Sequence, residues 1–544
     1  MTTRGSERTR RLINDSLLPG SIAPTPELVT DATHERRLLG ALHMNDAGRI
    51  PLRALPDALA RVGLRAHDVR LAESMHRLAQ YPHDAALSSE EMIQVIRPNA
   101  SLIERALRGN LVVPDFSSFC DEVREIHDET RMNNSGKVAD YIPQLARVSP
   151  DRYGISLCTV DGQQHSVGDT TVDFSVQSCT KPINYCIALE EHDEEAFHRH
   201  VGREPSGRGF NELSLNRDNK PHNPMINAGA IATCSLIRAN DLVADRFDHV
   251  MDQWARLAGN QRAGFSNAVY LSERQTADRN FALGYFMKEK GVFPAGTDLV
   301  STLEFYFQCC SIESSCERMS VVAATLANGG VCPTTGIRVL RPSTVRACLS
   351  LMYSCGMYDF SGEFAFSIGL PAKSGVSGAL MVVVPNVMGI CVWSPPLDSL
   401  GNSVRGIEFC KSLVSRFNFH NYDDLGGSLR HKRDPRRRRE DLRVDAVTSL
   451  CWAASQGDLR GIQNLVARGV DLNLADYDGR TGLHLAASEG HVGVVQAFIA
   501  RGVDINPQDR WGNTPLDDAF RGAHGGVITE LEQAGARPGG ASSD

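Results

Sequence analysis

The chain has 544 residues, more than one average core requires, so roughly two to four domains are expected. Apolar residues make up 42% and charged residues 22%, an ordinary globular composition. The formal net charge of −8 argues against nucleic-acid binding, which needs a basic face. None of the 14 cysteines falls in a C-x-x-C pair, so zinc sites are unsupported and no metal is expected. Cys234, Cys309, Cys310 and Cys391 stand in apolar stretches and read as buried free thiols of a reducing compartment.

In chain order, residues 1–30 are polar and contain proline, and are expected to be poorly ordered. This segment lacks the apolar core of a secretory signal, yet its first 18 residues hold four arginines. A cytoplasmic protein, or a mitochondrial-matrix protein if the N-terminus is a presequence, is expected.

Residues 31–119 read as a helical domain. Leu38, Leu39 and Leu42 share one helical spacing, and Leu55, Leu59 and Val62 another. Between them Asn45-Asp46-Ala47-Gly48-Arg49 resembles the start of a calcium loop. The repeated acidic ligands and closing glutamate that calcium requires are missing, which predicts a degenerate EF-hand-like helical pair.

Residues 120–425 mix helical stretches with β-rich ones such as Tyr153 to Thr159 and Ala379 to Trp393. An α+β domain with an antiparallel sheet and surrounding helices is expected. Ala379 to Trp393 is the most apolar stretch, but Pro385 and Asn386 interrupt it. It reads as two buried strands joined by a turn and not as a membrane span.

The chemistry lies in this region. Ser178-Cys179-Thr180-Lys181 is S-x-x-K, and a helix starting near Ser178 would put Ser178 and Lys181 on one face. A lysine in a dry site can have its pKa lowered enough to take a serine proton. Far downstream, Lys373-Ser374-Gly375 leads into the apolar strand pair. S-x-x-K followed by K-[ST]-G is the arrangement of the serine β-lactamase and penicillin-binding fold, in which that strand can lend N–H groups to an oxyanion hole. Alone, the two motifs imply only a serine acyl hydrolase.

Residues 426–443 form a linker containing the basic run from Arg430 to Arg439, expected to be solvated. In residues 444–540, Thr448-Ser449-Leu450, Thr481-Gly482-Leu483 and Thr514-Pro515-Leu516 recur with a period of 33 residues. Ala467-Arg468-Gly469-Val470-Asp471 and Ala500-Arg501-Gly502-Val503-Asp504 repeat with the same period. Period and motif resemble ankyrin repeats, the last one degenerate as a cap should be, and imply an unidentified protein partner or a self-contact.

Several separated motifs resemble the glutaminase family: Tyr141 to Ala146, Gln177 to Pro182, His222 to Ile231, Ser272 to Arg274 with Asp278 to Asn280, and Ser354 to Asp359. The resemblance covers roughly residues 35 to 425 and is greatest to the animal-type members, which also carry a helical N-terminal region and ankyrin repeats. It implies hydrolysis of L-glutamine to glutamate and ammonia through a glutamyl-serine ester, without cofactor, by a homotetramer.

By the same resemblance Ser178 is the nucleophile and Lys181 the general base, with Tyr306 and Tyr358 near the reacting group. Val376 joins Ser178 in the oxyanion hole, and Glu273 pairs with the substrate α-ammonium. Tyr141, Asn227 and Asn280 contact the amino-acid end. A small zwitterion bearing an amide does need an anion, hydrogen-bond donors and an acyl-transfer centre. His198 and His200 lie outside the set.

Gly207 to Leu215 resembles the family's activation loop, but Glu212 replaces the kidney-type lysine, Ser214 its phenylalanine, and Phe286 a tyrosine. An acidic Glu212 weakens the attraction of anions and argues against strong phosphate activation. Ser214 resembles the liver-type branch.

Overall fold

The computed structural model describes residues 39–40, 42–207, 212–423, 432–437, 439–467 and 470–539. The expected disordered segment 1–30, the centre of the Gly207–Leu215 loop and part of the basic run lie outside these residues. Two compact units are formed, one by residues up to Ala58 together with Glu73–Arg108, the other by Leu59–Ala72 and Gly109 onward.

The first unit is helical, with a two-stranded ladder pairing Ile50–Pro51 and Ala86–Leu87. Its calcium-like loop is closed by its own side chain: Asn45 Oδ1 accepts from Ala47 N at 3.1 Å and Arg49 N at 2.9 Å. Arg49 Nε donates to Ala86 O at 2.7 Å, and its guanidinium pairs with Glu91 at 3.3 Å. A cation is thus supplied by the chain itself at this loop.

In the second unit five strands form one antiparallel sheet: β1 (Gly154–Thr159), β2 (Gln164–Gly168), β3 (Ala372–Ser374), β4 (Ala379–Val384) and β5 (Met388–Trp393). The spatial order is β2-β1-β5-β4-β3. As expected, the apolar stretch is a strand pair, turned at Asn386, whose φ of 62° is left-handed.

Strand alternation divides the core. Leu380, Val382 and Val384 face one apolar cluster with helices Phe116–Arg131 and Val404–Arg416. Ala379, Met381 and Val383 face another, which holds most of the remaining helices. Seven of these carry or support the site: α1 (Thr180–Glu191), α2 (Asn227–Leu236), α3 (Asn267–Gln275), α4 (Asp278–Glu289), α5 (Leu299–Cys310), α6 (Cys316–Ala327) and α7 (Pro342–Cys355). The helix α6 lies so close to β5 that a Cβ on Gly389 would stand 2.0 Å from Ala324 N. All 14 cysteines are free and buried.

The basic run is not simply solvated. Lys432 Nζ pairs with Asp423 at 2.8 Å, and Arg433 pairs with Glu122 while its guanidinium lies 5.5 Å from the Phe417 ring. Spacing alone does not reveal these acids, which are distant in sequence or separated from the run by the chain's return.

The repeats pack through Leu450, Ala453, Ala454, Leu483, Ala486, Ala487, Leu516 and Ala519. Thr481 and Thr514 close capping boxes with His484 and Asp517. The first repeat departs from this pattern, because helix Arg439–Ser455 runs through Thr448. The turns before Thr481 and Thr514 contain Gly479 and Gly512, with φ of 76° and 80°, and no glycine precedes Thr448 in that helix.

Candidate active site

Ser178 sits in a short 3-10 turn, Gln177–Cys179, between strand Phe174–Ser175 and α1. Gln177 takes a left-handed φ of 48°, unusual for a residue with a side chain. This turn and the first turn of α1 bring Lys181 Nζ to 2.9 Å from Ser178 Oγ. Lys181 is fully buried, and the loss of water lowers its pKa to about 8.

The network extends from this pair. Asn227, the first residue of α2, accepts at Oδ1 from Lys181 at 2.7 Å and from the Tyr306 hydroxyl of α5 at 3.3 Å. Asn227 Nδ2 donates to Asn280 Oδ1 of α4 at 3.3 Å. Burial pushes the Tyr306 phenol well above its usual range, so it stays protonated and can donate.

A second group forms around Glu273 of α3. Its Oε1 accepts from Tyr141 at 2.6 Å and from Gln177 Nε2 at 3.0 Å. The Tyr141 ring is half exposed, but its hydroxyl is enclosed by these two side chains. Burial raises the Glu273 pKa, opposed by Tyr141, Gln177 and Lys181. A buried carboxylate holding two donors and, among the described residues, no salt-bridge partner suits an incoming ammonium group.

Tyr358 follows α7 in a one-turn 3-10 helix, with a left-handed φ of 53°. Burial raises its phenol, and the neighbouring Ser178 opposes that rise. Val376 stands in the turn after β3, closed by Gly375 N to Ala379 O at 2.8 Å and Gly378 N to Gly375 O at 2.9 Å. Its side chain packs with Ile142, Leu145 and Val269. A Cβ on Gly375 would lie 2.9 Å from Val176 O, so the K-S-G turn backs onto the nucleophile turn. Beyond Tyr358 a cavity of about 540 Å³ is lined by Ser206, Gly207, Asn223, Ile226 and Asp359, among others.

Ser178, Lys181, Asn227, Asn280, Tyr306 and Tyr358 thus form one connected group, with Tyr141 and Glu273 joined to it through Gln177. His198 and His200 are tied up elsewhere, His198 to Tyr185 at 2.9 Å and Val201 O at 2.8 Å, and His200 to Val292 O at 2.6 Å. Glu212 is exposed and Ser214 half-buried, while Phe286 is half-buried below Lys290.

Sequence reasoning assigns no role to Gln177, Cys310 or Lys373. The position of Gln177 beside the serine was the available signal, though not its left-handed backbone. Cys310 neighbours Tyr306, and burial raises its thiol to about 12. Lys373 is completely buried, and burial together with Lys181 lowers its pKa to about 7.

Known proteins resemble this chain over most of its length. The family model for glutaminase matches residues 136–422, that for ankyrin repeats (3 copies) residues 450–539, and an EF-hand domain model residues 35–114. The mitochondrial liver isoform of glutaminase from Rattus norvegicus is 50% identical over 437 residues, 80% of this chain and 72% of the relative. Putative glutaminase 2 of Caenorhabditis elegans is 50% identical over 438 residues, 78% and 72% of the two chains. A solved structure described as a probable glutaminase matches with a TM-score of 0.53 at 36% identity, covering 55% of this chain and 97% of that one.

Proposed function

The chain belongs to the glutaminase family, and from that premise we propose that Ser178 and Lys181 carry out the hydrolysis of L-glutamine to glutamate and ammonia. The observation that carries the reading is the 2.9 Å contact between Lys181 Nζ and Ser178 Oγ in a buried site. Neutral Lys181 takes the Ser178 proton as Oγ attacks the substrate side-chain carbonyl carbon. The carbon–nitrogen bond then breaks, the lysine proton leaves with the amide nitrogen as ammonia, and a glutamyl-serine ester remains. Water attacks that ester, giving its proton to Lys181, and Ser178 is regenerated as glutamate leaves.

The substrate oxyanion is assigned to the N–H groups of Ser178 and Val376, on two turns that approach each other at Val176 and Gly375. Glu273 takes the α-ammonium group. Tyr141, Asn227 and Asn280 contact the amino-acid end, and Tyr306 and Tyr358 donate near the reacting amide. No step of this course requires a metal or organic cofactor.

The ankyrin repeats point to a protein–protein contact. We assign them an unidentified partner or a self-contact, and assign the enzyme a homotetrameric state by analogy with the animal-type family. Of the cytoplasm and the mitochondrial matrix, the name of the Rattus norvegicus relative, a mitochondrial isoform, favours the mitochondrion.

The test is release of ammonia and glutamate from glutamine by purified protein, with Ser178→Ala beside it and phosphate varied. Turnover lost in the variant supports the reading. A wild type silent at every phosphate level overturns it.

A further inference from the structure

Lys373 is the second buried lysine of the site, and the course above does not use it. Its Nζ donates to Gly356 O at 3.0 Å and Ser374 O at 2.8 Å, and lies 4.4 Å from the centre of the Tyr358 ring. It forms no carboxylate ion pair among the described residues. The groups acting on its charge are Lys181 on α1, Cys179 in the nucleophile turn and Cys355 at the end of α7.

From these partners we infer that the positive charge the two buried lysines share at neutral pH rests on Lys373, which acts as a positioning residue that keeps Lys181 neutral and holds Tyr358 against Ser178. The inference rests on the glutaminase reading of Ser178 and Lys181.

Satisfied hydrogen bonds distinguish the two lysines. An ammonium has three donors and no acceptor. Lys373 meets two carbonyl oxygens and the electron-rich face of an aromatic ring, three partners that all favour a cation. A neutral amine there would turn its lone pair toward one of them. Lys181 meets Asn227 Oδ1, which accepts, and Ser178 Oγ, which can donate. A neutral amine satisfies both by donating to Asn227 and accepting the serine proton, which is the arrangement a general base requires.

Burial lowers Lys373 to about 7 and Lys181 to about 8, an order that taken alone would leave the proton on Lys181; the two amines titrate as a pair, however, and the hydrogen-bond partners weigh the other way. Those partners decide which amine keeps the shared proton.

Lys373 is also a structural junction. Its carbonyl accepts from the Cys179 thiol at 3.4 Å, one residue past the nucleophile. Ser374 N donates to Gly356 O at 3.2 Å, and a Cβ on Gly356 would lie 1.8 Å from Ala372 O. The strand β3 and the segment leading to Tyr358 are therefore pressed together, with the ammonium between them.

The test compares kcat/KM for glutamine across pH in the wild type, Lys373→Met and Lys373→Arg, with Ser178→Ala as control. Removing a neighbouring like charge lets Lys181 bind its proton more tightly. The acid limb of Lys373→Met is expected about one pH unit higher, roughly a fivefold loss at the wild-type midpoint that approaches tenfold below it. Lys373→Arg, whose charge is permanent, is expected to leave the acid limb in place. A Lys373→Met profile that drops in height without moving overturns the inference, as does a Lys373→Arg limb displaced to lower pH. If Lys373→Met does not fold, the arginine variant decides alone. An inactive wild type, or an active Ser178→Ala, would instead bring down the reading on which the inference rests.

Discussion

Lys181 Nζ and Asn227 Oδ1 stand 2.7 Å apart, so an uncharged amide faces the proposed general base where a carboxylate would fit equally well. Asparagine supplies an acceptor without supplying a charge that would hold the lysine proton. Asn227→Asp is nearly isosteric and would favour the ammonium form. A nearby opposite charge moves a pKa by about 1–3 units, and here the shift is upward from about 8. The acid limb of kcat/KM should move up by a similar interval, leaving little activity at pH 7. An unshifted limb would remove Lys181 from the base role.

Glu273 offers a different test, because its proposed duty concerns the far end of the substrate. Its Oε1 already takes hydrogen bonds from Tyr141 and Gln177, so Glu273→Gln keeps the shape and removes the charge. Hydrogen bonds to charged groups are worth about 1.5–3 kcal/mol, which predicts roughly a 10- to 150-fold loss in kcat/KM for glutamine. For an analogue lacking the α-amino group the wild type and the variant should differ little. Equal losses on both substrates would mean that Glu273 merely holds the nucleophile turn through Gln177.

How far this arrangement was legible in the sequence depends on the residue. S-x-x-K at 178–181 carries its own geometry, since one helical turn joins i and i+3. The unbroken apolar run from Ala379 to Val384 likewise announces a strand buried on both faces. The φ of 48° at Gln177 and 53° at Tyr358 is invisible in sequence, because neither residue type favours that backbone. The partners of Lys373 and of Arg433 are equally hidden, being set by tertiary packing across long separations. The helix through Thr448 shows the opposite failure, in which a correct repeat period masks a missing turn signal.

Gly389 of β5 predicts a stability effect that leaves the chemistry aside. Its absent side chain lets α6 approach, and a Cβ would meet Ala324 N at 2.0 Å and Ala323 C at 2.3 Å. Both neighbours are backbone, so neither can rotate away. Gly389→Ala should destabilise the fold by about 1–3 kcal/mol or more, as overpacked cores do. Thermal and denaturant unfolding would measure it, and a variant as stable as wild type would contradict this packing.

Asp518 carries the last prediction, in the repeats. It is buried in helix Pro515–Arg521 and accepts from Arg480 at 2.8 Å and from Arg521 at 2.9 Å. One period of 33 residues earlier the same position is Leu485, so an acid has entered a place where the neighbouring repeat is apolar. Breaking a buried pair leaves a desolvated charge, whereas replacing the acid by a well-packed apolar group is often tolerated. The arginines keep access to water, Arg521 more than Arg480, which reduces the penalty. Asp518→Ala should therefore cost about 2 kcal/mol in the stability of the repeats, and Asp518→Leu less. Hydrogen exchange at Leu483 to Ala487 and Leu516 to Ala519 would report both. The ion pair would be shown to matter more than the packing if the leucine variant proved the weaker of the two.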